Sequence, residues 1–188
     1  MRLTIVRHGE TIENANDIIM GQNGGTLSQK GIEQAKATTQ TLKDETFDQA
    51  WSSDLARCVD TAKYILELHP ELRLQLTPAL REVNYGEFQG RPGAEIRAYF
   101  DREGGFNQKS KVPGGESHVE MAVRVLGFVN GLLQRFPEQK MLLVSHNGPI
   151  EIIRAAVEKT PFSGDAKNAS AWRCVVEEAL QFYPTPEL

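Results

Sequence analysis

Arg7 and His8 stand together at the end of a short apolar run, Leu3-Thr-Ile-Val, and a glycine follows at once in Arg7-His8-Gly9-Glu10-Thr11. A β-branched run that stops at a breaker reads as a buried strand. Arginine and histidine are costly to bury without partners. At the carboxyl end of a parallel strand they open instead into the crevice where α/β sheets bind ligands. Histidine is partly neutral near pH 7, and one ring nitrogen is then a nucleophile. Phosphorus is a suitable target once the charge on its oxygens is neutralised, and the planar arginine fork bonds two phosphate oxygens at once. Arg57, one turn into the helix after the second strand, reaches the same edge; His146, at the exit of Lys140-Met-Leu-Leu-Val-Ser145, adds a further donor. The helix that starts after Asn147 aims its free N–H groups at the same place. Glu82, in Leu80-Arg81-Glu82, follows the third strand and is the best-placed carboxyl to protonate a leaving alkoxide. A carboxyl holds a proton at neutral pH when burial or a nearby anion, such as bound phosphate, favours its neutral form. The same group then activates water against a phosphohistidine.

The elements that must position these groups alternate along the chain. Strands are expected at about 3–7, 47–53, 73–77 and 140–145, with an edge strand from Val175 to Phe182. Between them lie amphipathic helices. Ser28 caps the first, with Ile32, Ala35, Thr39 and Leu42 inward; Asp54 caps the second, with Leu55, Val59, Ala62 and Leu66 inward. The longest carries Val119, Val123, Leu126, Val129, Leu133 and Phe136, and the last opens at Pro149. Glu13 to Gly25 reads as a surface loop, and about 83–113, rich in glycine, as a flap inserted over the site with one short helix near Ala94–Phe100. The pattern predicts one α/β domain with a mostly parallel sheet and helices on both faces. Parallel strands bring His8 and His146 to one edge.

The 188 residues fit a single domain, with 40% apolar and 24% charged residues. A net charge of −4 argues against a general nucleic-acid or membrane surface. Nothing approaches the ~20 apolar residues of a membrane span. Cys58 and Cys174 are too few for a disulfide framework, so a reducing, cytoplasmic setting is expected. The four histidines lack metal-ligand spacing, and no G-x-x-x-x-G-K, G-x-G-x-x-G or G-x-S-x-G run occurs. His69 and His118 receive no role, and Gly24 and Gly25 read as turn glycines. Arg91, Arg97, Arg102, Lys109 and Lys111 give the flap a basic character that suits either extra substrate anions or a solvated face.

Six segments in register resemble the histidine phosphatase superfamily, the phosphoglycerate-mutase-like family. They are Arg7-His8-Gly9-Glu10-Thr11 with Asn14, Leu27-Ser28-x-x-Gly31-x-x-Gln34-Ala35, Ser53-Asp54-Leu55-x-Arg57-Cys58-x-x-Thr61-Ala62, Leu80-Arg81-Glu82-x-x-x-Gly86-x-x-x-Gly90, Gly114-Gly115-Glu116-Ser117 and Val144-Ser145-His146-Asn147-Gly148. The resemblance implies a three-layer α/β/α sandwich, His8 as the phosphorylated nucleophile, Arg7, Arg57 and His146 as the phosphate pocket and Glu82 as proton donor. It adds Asn14, Gln22, Asn147 and Gly9 as substrate contacts, a small phosphorylated metabolite as partner, and no metal or cofactor. Gly25-Thr26 stands where the family commonly has aspartate and proline, which marks that loop as different. The Arg-His-Tyr-Gly run of cofactor-dependent mutases is missing after the acid segment, and the flap is short. A metal-independent phosphatase acting on a small phosphomonoester is therefore expected. A phosphoglycerate mutase or sugar bisphosphatase is the alternative, and a phosphate-binding scaffold that has lost catalysis is the non-enzymatic one.

Overall fold

The opening run folds as strand β1, Arg2–Arg7, and Leu3 to Val6 are all buried, as a strand covered on both faces must be. The structure, a computed structural model, describes residues 1–162 and 170–183. After β1 come α1 (Ile12–Ala15), β2 (Ile18–Ile19), α2 (Gln29–Leu42), β3 (Gln49–Ser53), α3 (Ala56–Leu66) and β4 (Leu74–Thr77). They are followed by β5 (Arg91–Pro92), α4 (Gly93–Arg102), α5 (His118–Arg135), β6 (Lys140–Ser145), α6 (Asn147–Glu158) and β7 (Ala171–Val175).

The main sheet has the order β4-β3-β6-β1-β7, and only β7 runs antiparallel to its neighbour. Alternate residues of its central strands feed two cores. Leu3, Ile5, Met141 and Leu143 pack with Met121, Val125 and Ile152 of α5 and α6. Val6, Leu142 and Val144 pack on the other face with Leu42, Cys58, Ala62 and Ile65 of α2 and α3. This is the three-layer α/β/α sandwich with a mostly parallel sheet. The register pairs Arg7 with Ser145, and the His8 N–H donates to the Ser145 carbonyl at 3.0 Å, so His8 and His146 leave the sheet side by side.

Several local expectations shift. Ser28 does cap α2, its Oγ accepting from Gly31 N at 3.0 Å. Asp54, by contrast, is not the cap of α3: Leu55 holds that position without a side-chain bond, and Asp54 instead receives the Arg81 fork, Nε at 2.7 Å. The buried stripe of α3 is Cys58, Ala62 and Ile65, with Arg57 and Thr61, so Val59 and Leu66 are only half-buried. The helix is rotated because Arg57 has to face the strand ends. Val123 of α5 is 72% exposed, and Met121, Ala122, Val125 and Leu132 do the packing expected of it and its neighbours. The edge strand lies at Ala171–Val175, earlier in the chain than expected, while Val176 and Leu180 fold back into the core. The last residues of the proline-containing tail, 184–188, fall outside the described residues.

The stretch from Glu13 to Gly25 is more ordered than a loop. Thr11 opens α1 with a capping box, and β2 pairs antiparallel with β5. The 83–113 segment has a small apolar centre of its own, in which Ile96, Phe100 and Val112 meet Ile19, Tyr85, Phe88 and Tyr99.

Candidate active site

His8 is 3% exposed, and its Nδ1 lies 2.7 Å from the Gly9 carbonyl. A carbonyl oxygen only accepts, so Nδ1 carries the hydrogen and Nε2 keeps its lone pair. The ring is thereby held in the tautomer a nucleophile needs. Three neighbouring contacts fix the loop that holds it. Gly9 N donates to Thr61 Oγ1 at 3.0 Å, Glu10 N to Gln34 Oε1 at 2.9 Å, and Ser28 Oγ to Glu10 Oε1 at 3.0 Å. A Cβ on Gly9 would lie 2.4 Å from the Gly31 carbonyl, so only glycine permits this approach of the His8 loop to the start of α2.

Arg57 is buried at the start of α3 and faces His8. Its Nε donates to His8 Nε2 at 3.3 Å. Nη1 donates to the carbonyls of Asn23, at 2.7 Å, and Gly24, and Nη2 to that of Gly21, at 2.7 Å. Arg57 thus pins the 21–24 turn to the site. The turn carbonyls cradle a guanidinium and not a phosphate, and with Nε on His8 it is the remaining Nη2 hydrogen that Arg57 offers an anion.

His146 is fully buried, its ring edge-on to that of His8 with centroids 5.2 Å apart. Its Nε2 lies 2.8 Å from Ser53 Oγ and 3.3 Å from Cys58 Sγ. Burial, and after it the Arg57 charge, holds both imidazoles well below the ordinary histidine pKa; Arg7 acts in the same direction on each. The two arginines therefore focus positive potential on this spot.

Glu82 stands at the mouth of the same hollow. Its Oε1 accepts from Val83 N at 3.0 Å and its Oε2 from Gly148 N, in the first turn of α6, at 3.4 Å. A Cβ on Gly148 would lie 2.5 Å from Glu82 Oε1, so the bare backbone makes room for the carboxyl. The Glu82 carbonyl accepts from Gln22 Nε2 at 3.2 Å and Arg124 Nη2 at 3.4 Å, and Arg124 is ion-paired to Glu116. The Glu82 charge acts on Arg57, which places the carboxyl within electrostatic reach of the anion pocket.

The structure thus brings His8, Arg57, His146 and Glu82 together, with Arg7 charging the same hollow. Gln22 is also present, as a tie between Glu82 and Glu116. Asn147 lines a cavity beside Glu82. Asn14 is exposed, its Oδ1 accepting from Thr11 N at 3.2 Å in the α1 cap. Gly9 holds the loop with both its polar groups. Among the flap cations, Arg91, Arg97 and Lys111 are ion-paired on the surface to Glu95, Asp17 and Glu120, as a solvated face would be. Among the described residues, no group of three histidine, cysteine or acidic side chains could hold a metal ion. No helix among them is long and apolar enough to cross a membrane.

A family model described as histidine phosphatase superfamily, branch 1, matches residues 3–177. The chain belongs to that superfamily. Among its relatives in this histidine phosphatase family, the Xenopus laevis fructose-2,6-bisphosphatase TIGAR is 35% identical over 136 residues, 70% of this chain and 50% of that one. The chain spans about half the length of the TIGAR relatives it matches. A probable phosphoglycerate mutase GpmB of Yersinia pestis is 33% identical over 150 residues, 78% of this chain and 69% of that one. A solved mycobacterial glucosyl-3-phosphoglycerate phosphatase complexed with VO3 superposes with a TM-score of 0.81 at 33% identity, covering 92% of this chain and 91% of that one.

Sequence reasoning passed over several residues that this member of the histidine phosphatases uses to build its site. Ser53 and Thr61 lie within one of the resembling segments, yet their bonds to His146 and Gly9 need the fold to be seen. Arg124 looks like a solvated helix cation until four backbone carbonyls, those of Pro78, Ala79, Arg81 and Glu82, are found around its fork. His118, given no role, is buried and lines the cavity next to Glu82.

The depressed imidazoles have a consequence for stability. Below about pH 6.5 the unfolded chain takes up protons on these histidines, whereas the folded chain does so only at lower pH. Stability is therefore lost as pH falls through that window, at a slope approaching about 3 kcal/mol per pH unit for two such groups. Denaturant unfolding between pH 6.5 and 5.5, without phosphate, is expected to show this slope in the wild type and a shallower one in the His8→Asn, His146→Asn double variant. Equal slopes would mean that both rings protonate freely in the folded state.

Proposed function

We propose that this chain is a phosphomonoester phosphatase that works through a phosphohistidine on His8. The observation that carries the reading is the Nδ1 contact to the Gly9 carbonyl, which leaves Nε2 unprotonated, with its lone pair towards Arg57. Nε2 attacks phosphorus while the bond to the alcohol oxygen breaks, and Glu82 gives its proton to that oxygen. Arg7, Arg57 and His146 offset the charge on the three equatorial oxygens. Glu82, now ionised, takes a proton from water as the water attacks phosphorus. Inorganic phosphate leaves and neutral His8 returns.

Hydrolysis is favoured over mutase chemistry. A mutase must shield its phosphohistidine from water and hold the product for return transfer. Here the segment over the site consists of the two-residue strand β5, α4 and turns, and residues 101–107 are exposed. The phosphatase relatives support the same choice. The proposed partner is a small phosphorylated metabolite, and the two free thiols fit a cytoplasmic setting. Phosphorylated metabolites scored for released phosphate test the reading. Turnover is expected to survive a chelator, because the charge on phosphate is met by arginine and histidine. Loss of turnover on chelation, or conversion of 3-phosphoglycerate without net phosphate release, would contradict it.

A further inference from the structure

A cavity of about 550 Å³ opens directly from the Glu82 and Gly148 end of the site. Its walls are Ile19, Tyr85, Ile96, Phe100, Phe106 and Phe162, drawn from five separate stretches of chain. The aromatic rings form a continuous series, edge-to-face from Tyr99 to Phe100 at 5.5 Å, Phe100 to Phe106 at 5.1 Å and Phe106 to His118 at 5.2 Å, and tilted from His118 to Phe162 at 5.2 Å. Phe106 is 51% exposed, although its flat face is the kind of surface that folding normally covers. The charges here are also informative. Among the described lining residues the one fixed cation is Arg97, and Asp17 already holds it at 2.7 Å. Glu82 and Asp101 are the acidic members. His118 is buried among the rings, and burial lowers its pKa, which favours the uncharged imidazole.

We infer that this cavity receives the alcohol moiety of the substrate and selects one that is bulky, apolar and uncharged, an aromatic or alicyclic alcohol. This rests on the phosphatase reading above and narrows it. A second phosphate or a carboxylate on the substrate would leave water for a wall of aromatic carbon and two carboxylates, with no uncommitted cation among the described lining residues to receive it. An apolar ring gains from the same wall by leaving water and by stacking. The selection acts on the alcohol alone, since every phosphomonoester presents the same anion to His8 and the arginines.

Ethyl phosphate, 2-phenylethyl phosphate and its para-carboxylate have leaving groups of similar acidity, so their kcat/KM values compare the cavity and not the chemistry. The 2-phenylethyl ester is expected to exceed ethyl phosphate by roughly 10- to 100-fold, and the para-carboxylate to lose most of that gain. Fructose-2,6-bisphosphate and 3-phosphoglycerate should fall below the phenylethyl ester. Phe106→Ala should lower the phenylethyl-to-ethyl ratio about tenfold, and Phe106→Arg should shift preference towards the para-carboxylate. Phe106 is half in solvent, so neither change opens the core. Equal values for the three esters, or preference for a bisphosphate or carboxylate, would overturn the inference and leave the phosphatase reading standing. No phosphate release from any ester would remove both.

Discussion

His8→Asn is expected to abolish phosphate release, lowering turnover by a factor on the order of 10⁴ or more. The side chain supplies the only bond-forming atom in the proposed first step, and no neighbour can replace it. Cys58 is the thiol beside the site, but burial drives it strongly towards the protonated form, and its Sγ faces His146 and the Ser145 carbonyl. The anion pocket should outlive the change. Arg57 keeps its three loop carbonyls, and His146 keeps Ser53. Inorganic phosphate should therefore still bind, as calorimetry can measure, while turnover is gone. Turnover within about a hundredfold of wild type would require a different nucleophile.

Glu82→Gln is expected to cost roughly 10²- to 10⁴-fold with alkyl phosphates, the range over which a positioned proton donor acts. Its effect should depend on the leaving group. An acidic phenol departs without a proton, so with a nitrophenyl phosphate the first step should be nearly untouched. Hydrolysis of the phosphoenzyme should still fail, because no carboxylate is left to activate water. The variant is then expected to give a burst of phenol followed by a slow steady state. The glutamine also meets a local mismatch, since its amide cannot both accept from Val83 N and from Gly148 N as the two carboxylate oxygens do. A loss of the same size for alkyl and aryl esters, without a burst, would assign Glu82 a structural role only.

Much of this architecture was legible from residue order. The two buried strands that end in Arg7-His8 and in Ser145-His146 announce themselves by β-branched and apolar runs, and parallel pairing is enough to bring their ends together. Helix faces were less legible. Val123 is as apolar as Val125, yet one is exposed and the other is buried, because a rotation of one residue hardly changes an 18-residue stripe. Asp54 shows the same difficulty at a cap. A carboxylate ahead of a helix suits an N-cap, but the bidentate bond to Arg81, which is distant in sequence, is the stronger attachment. The supporting parts of the site, namely Arg124 with Glu116 and Ser53 with His146, depend on tertiary approach and carry no local signal. The cavity was legible only in part: the flap aromatics Tyr85, Phe88, Tyr99 and Phe106 suit either an organic pocket or packing within the flap, and only the folded chain shows Tyr85 and Phe106 meeting Ile19, His118 and Phe162 around one cavity.

Rapid quenching during turnover, followed by mass spectrometry of the peptides, examines the covalent step itself. A phosphoryl group on the peptide that carries His8 is expected, stable in base, labile in acid and more abundant in Glu82→Gln. A phosphoryl group on any other side chain, or a turning-over enzyme that never carries one while phosphorus inverts its configuration, would contradict nucleophilic attack by His8.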